Sequence, residues 1–372
     1  MDNTGLVSNI LIAGKTGVGK SAFLNYIYGR DVAESRAGSP VTAEGLHEYE
    51  YYDLERGILF RFFDTWGLEA DRSEEWHEAV IAVVNKREGA LDIADWFHTI
   101  YYLLSINSGR VETYELEAIL KPLYAKESNV TIILTNYNPD SAMNVEKAEA
   151  MEDVLMRELG INRDAMIRVN SVEKKLLSGQ VVPTLGYEGV WQRNRTNLWQ
   201  DVERKLPLNL TRHLLDELEA WRDRSYRSAE KIRMITPQAM ISWKARQIEK
   251  DLESTLEQAA LTTEEAMAQG VRHYIQLMER YPLVGKQADV GFKTRRVELG
   301  FDYSFKRTIR KMVLGMIPGI HFIYWAFKRR TAERGIKKAI DQQYETVREA
   351  IVQDVQRGFE NEMKQLGRTL NQ

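Results

Sequence analysis

The sequence contains no cysteine among its 372 residues. A disulfide framework and a thiolate metal site are therefore both excluded. The six histidines show no paired spacing of the kind that binds zinc. The first five residues, Met1–Gly5, carry neither the basic start nor the apolar run of a signal peptide, which predicts a cytoplasmic protein rather than a secreted one.

Charge is divided unevenly along the chain, although the net charge is only −3. Residues 1–206 hold 22 Lys and Arg against 32 Asp and Glu, whereas residues 207–372 hold 29 against 22. An acidic front half and a basic back half suggest two modules with different partners, although solvated helices can also differ in this way by chance. The length also exceeds what one hydrophobic core usually supports, which favours two domains.

The first half of the chain alternates strand-like and helix-like segments, which predicts an α/β domain with a mainly parallel sheet. A turn at Glu55-Arg56-Gly57 joins the second and third strands, so these two are expected to form an antiparallel hairpin at one edge. The predicted strands are Val7–Ala13, His47–Leu54, Ile58–Phe63, Ile100–Ile106, Val130–Leu134 and Ile167–Val169. The predicted helices are Ser21–Tyr28, Ser73–Lys86, Val111–Leu120 and Asp140–Leu159.

From Pro207 onward, helical periodicity replaces the β-rich runs. Long helices are predicted over Gln238–Tyr281, with a break near Leu261-Thr262-Thr263, and over Ala332–Leu370. Such lengths are typical of an all-α helical bundle or stalk. The sequence therefore predicts a nucleotide-binding domain at residues 1–205 and a helical domain at residues 206–372.

A complete phosphate-binding motif, G-x-x-x-x-G-K-[ST], stands between the first strand and the first helix at Gly14-Lys15-Thr16-Gly17-Val18-Gly19-Lys20-Ser21. Glycines let the backbone turn successive N–H groups toward phosphates, and the helix N-terminus adds a positive dipole end. Lys20 is expected to contact the β- and γ-phosphates and Ser21 to bind Mg²⁺, with Ala22 completing the nucleotide-binding stretch.

Two further parts of a nucleotide site follow in the order that this motif predicts. Asp64-Thr65-Trp66-Gly67 comes at the end of the third strand, where Asp64 can hold Mg²⁺ through a water and the Gly67 N–H can meet the γ-phosphate. Thr42, in the preceding loop, is placed to add a second hydroxyl to Mg²⁺. Lys20, Thr42 and Gly67 are therefore the predicted catalytic residues, and Ser21, Thr42 and Asp64 the predicted metal ligands.

These motifs resemble the Era/TrmE-like branch of the translation-factor-class GTPases. The spelling of the Gly14–Ser21 loop is especially similar to septins and to the immunity-related and plastid-import GTPases. The resemblance covers roughly residues 7–205 and implies a G domain that binds GTP or GDP with Mg²⁺ and hydrolyses GTP. It does not extend clearly to the helical half.

The base-reading motif departs from the [NT]-K-x-D pattern of that family. Asn136 stands at the lysine position and Asn138 at the aspartate position, while Ser171 lies in the segment that resembles the base-backing loop. An amide offers one acceptor oxygen where a carboxylate offers two, which costs roughly 1.5–3 kcal/mol in reading guanine. Asp140 either substitutes for the missing carboxylate or caps the following helix. Guanine remains the expected base, on the strength of the resemblance.

Catalysis is also incompletely specified by the sequence. The position of the water-orienting glutamine is occupied by Leu68, and the potassium-binding asparagine of some relatives is replaced by Gly17. Hydrolysis would need another group, such as Glu69, Arg36 or Arg110, or a residue from a partner. The sequence therefore predicts slow intrinsic turnover that dimerisation or an activating protein raises.

Residues 312–327 contain no Asp, Glu, Lys or Arg and are flanked by basic residues. The surrounding segment Lys286–Arg330 holds 11 basic and 3 acidic residues. The run is shorter than the ~20 residues that span a bilayer, and Pro318-Gly319 interrupts it. It indicates either a hairpin that inserts into one leaflet of an anionic membrane, with Tyr324 and Trp325 at the headgroups, or a buried helix–turn–helix. Nucleic acid is a weaker alternative partner for the same charge.

Two functions from different classes fit these observations. In the first, the protein is a GTPase switch whose helical half passes the nucleotide state to self-assembly, a protein partner or a membrane, as in dynamin-like GTPases. In the second, it is a nucleotide-binding interaction module with little hydrolysis. Single-turnover hydrolysis distinguishes the two.

Overall fold

The fold is described here from a computed structural model. It describes residues 6–29, 32, 46–65, 73–125, 129–175, 179, 181–231, 237–282, 333–355 and 357–358. The chain forms two compact units: the first contains residues up to Asp201 together with the segment that begins at His273, and the second contains the intervening residues from Val202 and the C-terminal part.

A six-stranded sheet forms the centre of the first unit, in the order β2-β3-β1-β4-β5-β6. All its neighbouring strands are parallel except β2 and β3, which pair as the antiparallel edge hairpin that the sequence predicts. The strands are β1 (Leu6–Gly14), β2 (Leu46–Asp53), β3 (Ile58–Thr65), β4 (Thr99–Ser105), β5 (Val130–Thr135) and β6 (Met166–Arg168). A separate two-stranded ribbon pairs β7 (Lys174–Lys175) with β8 (Val181–Val182).

The central strands are mostly apolar and are buried along nearly their whole length, because helices cover both faces of the sheet. Every residue of β5 is buried, and so is every residue of β4 except the last. Alternation along β3 separates the two faces: Phe62 packs against Tyr28 on one side, and Phe63 packs against Phe97 on the other. This is the arrangement expected for a parallel sheet buried on both sides.

Five α-helices accompany the sheet in the described part of the first unit: α1 (Lys20–Tyr28), α2 (Ser73–Glu88), α3 (Lys121–Ala125), α4 (Ala142–Leu159) and α5 (Tyr187–Gln200). A π-helical turn, Glu115–Leu120, leads into α3. The start of α4 differs from the prediction: the side chain of Ser141 accepts the capping hydrogen bond from the Asn144 N–H, so the cap is Ser141 and not Asp140. Gly160 ends the helix in a left-handed conformation, with φ of 65°.

The second unit is helical and contains α6 (Leu206–Ala229), most of α7 (Gln238–Arg280) and α8 (Glu333–Ala350). The Trp221 indole donates to the carbonyl of Ile248, joining α6 to α7, and the Tyr226 hydroxyl hydrogen-bonds to Asp341, joining α6 to α8. The break predicted near Leu261-Thr262-Thr263 is wrong, because α7 continues through it. Within the described residues, no helix is both long enough and apolar enough to cross a bilayer.

The chain is helical without interruption from α5 through a π-helical turn, Asp201–Lys205, into α6. Pro207 is the second residue of α6 and lies just after the π-helical turn, so its missing N–H falls at the junction of these two helical segments. The predicted boundary between residues 205 and 206 therefore falls inside a helical segment. The structure also groups residues from His273 to the end of α7 with the first unit. The apolar segment 312–327 lies outside the described residues.

Candidate functional site

The glycine-rich loop connects the end of β1 to the start of α1, as the motif predicts. Gly14 has a φ of +143°, and a Cβ at this position would lie 2.6 Å from the carbonyl oxygen of Leu103. Gly19 has a φ of +100°, a conformation that L side chains rarely adopt. The path of the loop therefore depends on glycine at both positions.

Lys20 begins α1 and folds back over the loop. Its Nζ donates to the carbonyl oxygens of Gly14 at 2.8 Å and Lys15 at 3.3 Å. The start of α1 has no side-chain cap, so helix N–H groups and one ammonium face the same opening. A helix N-terminus and a lysine together favour a polyphosphate.

A cavity of about 590 Å³ opens beside this loop. It brings residues of the loop and α1 together with Asp64 at the carboxyl end of β3, which pairs alongside β1 at Ile12. Of the predicted site residues, seven line the cavity: Thr16, Gly17, Gly19, Lys20, Ser21, Ala22 and Asp64. Gly14, Lys15 and Val18 belong to the loop without lining the cavity, while Thr42 and Gly67 lie outside the described residues.

The oxygen atoms at this cavity suit Mg²⁺. Ser21 offers a hydroxyl and Asp64 a carboxylate, both hard ligands of the kind that Mg²⁺ prefers. Among the described residues there is no group of three or more His, Asp or Glu that could hold a metal without help. This donor set therefore fits an ion that takes its remaining oxygens from water and from a bound phosphate, which is how Mg²⁺ usually binds in such sites.

Three cavity-lining residues were not singled out from the sequence: His47, Tyr49 and Thr65. His47 lies directly opposite Asp64 in the β2–β3 register, and Tyr49 stacks on its own partner Phe62 with ring centroids 5.3 Å apart. The Thr65 hydroxyl is buried and has no hydrogen-bond partner within the described part of the chain. The predicted turn at Glu55-Arg56-Gly57 could have pointed to His47, because counting outward from the turn along both strands places residue 47 or 48 opposite Asp64.

Lys15 points away from the cavity. Its Nζ lies 3.4 Å from Glu115 and 3.7 Å from Glu112, and 5.0 Å above the ring of Tyr114. Burial lowers the pKa of Lys15, but Glu115 and the neighbouring groups outweigh burial and raise it overall. The side chain of Lys15 thus ties the loop to the segment before α3, which leaves only its backbone for a phosphate.

The loop after β5 is joined to the glycine-rich loop through Thr135. The Thr135 hydroxyl donates to the carbonyl oxygen of Val18 at 2.7 Å and lies 3.3 Å from that of Leu104. Asn136 follows in a left-handed conformation, with φ of 61°. Its amide donates to the Ser105 hydroxyl at 3.1 Å and accepts from the Lys174 ammonium at 2.8 Å.

Asn138 directs its side chain to its own loop. Its Oδ1 accepts a hydrogen bond from the Asp140 N–H at 3.1 Å, so one of the two lone pairs of the amide oxygen is already in use. The Tyr137 N–H donates to the carbonyl oxygen of Val169 at 3.1 Å, which brings this loop beside the segment containing Ser171. The Ser171 hydroxyl is buried without a partner among the described residues. Asn136, Asn138 and Ser171 do not line the cavity beside the glycine-rich loop.

Of the residues that the sequence suggests for promoting hydrolysis, Arg110 lies within the described part of the chain. Arg110 is exposed, and its Nε donates to Glu112 at 2.9 Å. Arg36, Leu68 and Glu69 lie outside the described residues.

The phosphate loop, the strand-end aspartate and the Thr135 contact all lie within one matched segment. Residues 9–136 match the family model described as 50S ribosome-binding GTPase. Residues 9–136 are a P-loop GTPase domain. No curated protein is similar enough to this sequence to match it.

Solved structures similar to the GTPase domain share little sequence with it. Toc33 from Arabidopsis thaliana, in complex with GDP and Mg²⁺, is 17% identical, covers 51% of this chain and 82% of its own, and gives a TM-score of 0.34. The FeoB G domain of T. maritima is 15% identical over 51% of this chain and 98% of its own, with a TM-score of 0.31. Era from Aquifex aeolicus is 11% identical over 53% and 68%, with a TM-score of 0.30. Similarity at this level assigns no role to any residue.

Proposed function

We propose that the GTPase domain binds a guanine nucleoside triphosphate with Mg²⁺ and hydrolyses it to the diphosphate and phosphate. The observation that carries this proposal is the cavity in which Lys20, Ser21 and Asp64 meet beside the glycine-rich loop. One ammonium, a helix N-terminus and two hard oxygen ligands are the complement of a triphosphate with its metal.

Different residues of the site would bind the phosphates and the magnesium ion. Lys20 and the loop N–H groups would hold the β- and γ-phosphates, and Ser21 and Asp64 would hold Mg²⁺, Asp64 through a water. When bound, the ion would neutralise charge that develops on the phosphate oxygens. In hydrolysis, a water oxygen bonds to the γ-phosphorus while the bond from that phosphorus to the bridging oxygen breaks, and the proton that the water loses ends on the released phosphate. Lys20 stabilises the charge left on the β-phosphate side. Thr42 is the proposed second hydroxyl ligand of Mg²⁺, and the Gly67 N–H is the proposed γ-phosphate contact.

Base selection is expected to be weaker than a motif aspartate would give. The acceptor oxygen of Asn138 is used within its own loop, and the site offers an amide where a carboxylate would accept two hydrogen bonds. Losing one such bond corresponds to about ten- to a hundred-fold in discrimination. We therefore expect a preference for guanine over adenine that is modest, and xanthine nucleotides belong in the same comparison.

Calorimetric titration of the purified chain with GTP, GDP, XTP and ATP, in the presence of Mg²⁺, tests the proposal. Lys20→Ala should weaken triphosphate binding by about ten- to a hundred-fold for each hydrogen bond that the ammonium donates to a phosphate oxygen. Lys121→Ala is a matched control, because Lys121 pairs with Glu117 on the surface. If no nucleotide gives heat, or if Lys20→Ala binds as tightly as the parent, the proposal is wrong.

A second candidate function is a nucleotide-binding interaction module with little hydrolysis. Leu68, at the position of the water-orienting glutamine, supports it. Single-turnover hydrolysis of bound GTP separates the candidates: a measurable single-turnover rate that rises with protein concentration or with an activating protein supports a switch. Retention of intact GTP over many hours at every concentration supports the module.

The helical half is proposed to couple the nucleotide state to self-association and to an anionic membrane surface. The uncharged run 312–327 and its basic flanks support the membrane part. Co-sedimentation with vesicles containing anionic lipid should capture the parent protein. Trp325→Glu should release it, and equal binding by this variant would exclude insertion of the run.

A further inference from the structure

A histidine lies beside the proposed magnesium site on the neighbouring strand of the edge hairpin. β2 and β3 run antiparallel, and His47 and Asp64 are direct partners in their register. Side chains of directly opposed residues project from the same face of a sheet, with Cβ atoms about 4.5–5.5 Å apart. The imidazole of His47 is therefore a neighbour of the carboxylate of Asp64.

His47 lines the cavity in which the nucleotide and magnesium are proposed to bind. His47 and Asp64 both line it, together with Lys20 and Ser21, and both side chains are only partly buried. The two residues that follow His47 in β2 show which face of the sheet each side chain occupies. Tyr49 stacks on Phe62 along the same face, whereas Glu48 projects from the opposite face and pairs with Arg61 at 3.3 Å.

On this basis, which rests on the proposed function, we propose that His47 is a positioning residue of the magnesium site. Its imidazole hydrogen-bonds to the metal-bound water that Asp64 holds. A neutral imidazole has one nitrogen donor and one nitrogen acceptor, and it can orient a water without binding the ion itself. Removing an outer partner of this kind typically lowers metal affinity by about 10- to 100-fold.

The experiment measures magnesium affinity rather than turnover. Dissociation of a fluorescent guanine nucleotide from the full chain is followed while free Mg²⁺ is set with EDTA buffers. The variants are His47→Phe, which removes both nitrogens, and His47→Gln and His47→Asn, whose amides lie near the two ring nitrogens in turn. Tyr51→Phe is the matched control, since Tyr51 lies on the same face of β2 but does not line the cavity.

His47→Phe should shift the Mg²⁺ midpoint about 10- to 100-fold upward while leaving dissociation in excess EDTA unchanged, and at least one amide variant should stay within about threefold of the parent. A midpoint for His47→Phe equal to that of Tyr51→Phe would overturn the inference. So would equally faster dissociation in EDTA, which indicates a merely structural role. If the parent itself binds no nucleotide, the proposed function fails first.

Discussion

A histidine pair in the first unit, with His98 fully buried and His273 partly buried, predicts a loss of stability in mild acid. Nδ1 of His98 accepts a hydrogen bond from the Asn9 N–H at 2.9 Å, so the ring proton of His98 must lie on Nε2. That nitrogen is 3.2 Å from Nε2 of His273, near the end of α7. His273 must then accept at Nε2 and carry its own proton on Nδ1, where its bond to the backbone of Val7 places a donor. Both rings are neutral, and an extra proton would set two donors against each other.

The size and sign of the effect follow from this arrangement. Burial lowers the pKa of His273 below its usual 6.5, opposed by the Val7 hydrogen bond and by the charge of Asp92. Below pH 6.5, His273 therefore binds a proton in the unfolded chain but remains largely neutral in the folded chain. As a result, the free energy of unfolding falls as the pH falls. One such group contributes a slope of up to about 1.4 kcal/mol per pH unit, which continues until the pH reaches the folded pKa.

Urea unfolding between pH 5.5 and 7.5, compared between the parent and His273→Gln, isolates this contribution from that of the carboxylates. Glutamine is neutral and can still accept from His98, so the variant should lose up to about 1 kcal/mol less than the parent between pH 6.5 and 5.5. Equal slopes for the parent and His273→Gln would refute the assigned tautomers.

Three further substitutions test contacts that hold the glycine-rich loop and the sheet in place. Gly14→Ala should abolish nucleotide binding in calorimetry, because its Cβ would meet the carbonyl oxygen of Leu103 at 2.6 Å; retained affinity would contradict the loop geometry. Thr135→Val removes the bond to the glycine-rich loop and should cost about 1 kcal/mol in nucleotide affinity, with an unchanged affinity as the contrary result. Glu152→Ala leaves Arg168 without its bidentate partner, bonded at 2.6 and 2.8 Å, and should cost about 3 kcal/mol in urea unfolding, where a change below about 1 kcal/mol would be contrary.

The strands of the GTPase domain could be predicted closely because burial on both faces leaves a run rich in apolar and β-branched residues in the sequence. β5 is predicted at Val130–Leu134 and found at Val130–Thr135. Helix continuity was harder to predict. The segment Leu261-Thr262-Thr263 has weak helix propensity, yet Thr263 is fully buried, so tertiary packing overrides a local preference worth only a few tenths of a kcal/mol per residue.

The predictable part of the site is the part whose geometry is local in sequence. The residues of the glycine-rich loop are neighbours in the chain, so their spacing alone fixes the motif. His47 and Tyr49 reach the cavity only through the register of β2 on β3, and a one-residue error in the turn moves a strand's side chains to the opposite face. The same limit applies to the choice between Asp140 and Ser141 as helix cap, since both are good caps one residue apart.

The end of α7 shows why composition could not locate the units of this chain. The helical period is the same before and after His273, so nothing in the pattern marks where the helix passes from one unit to the other. Polar and aromatic contacts between residues distant in sequence join the end of α7 to the first unit. The Tyr281 and Ser8 hydroxyls lie 2.7 Å apart, and Arg280 donates to the carbonyl oxygen of Gly57 at 2.8 Å, in the turn of the β2–β3 hairpin. Because each contact joins α7 to a partner distant in sequence, the helical pattern does not identify that partner, and only the folded chain reveals it.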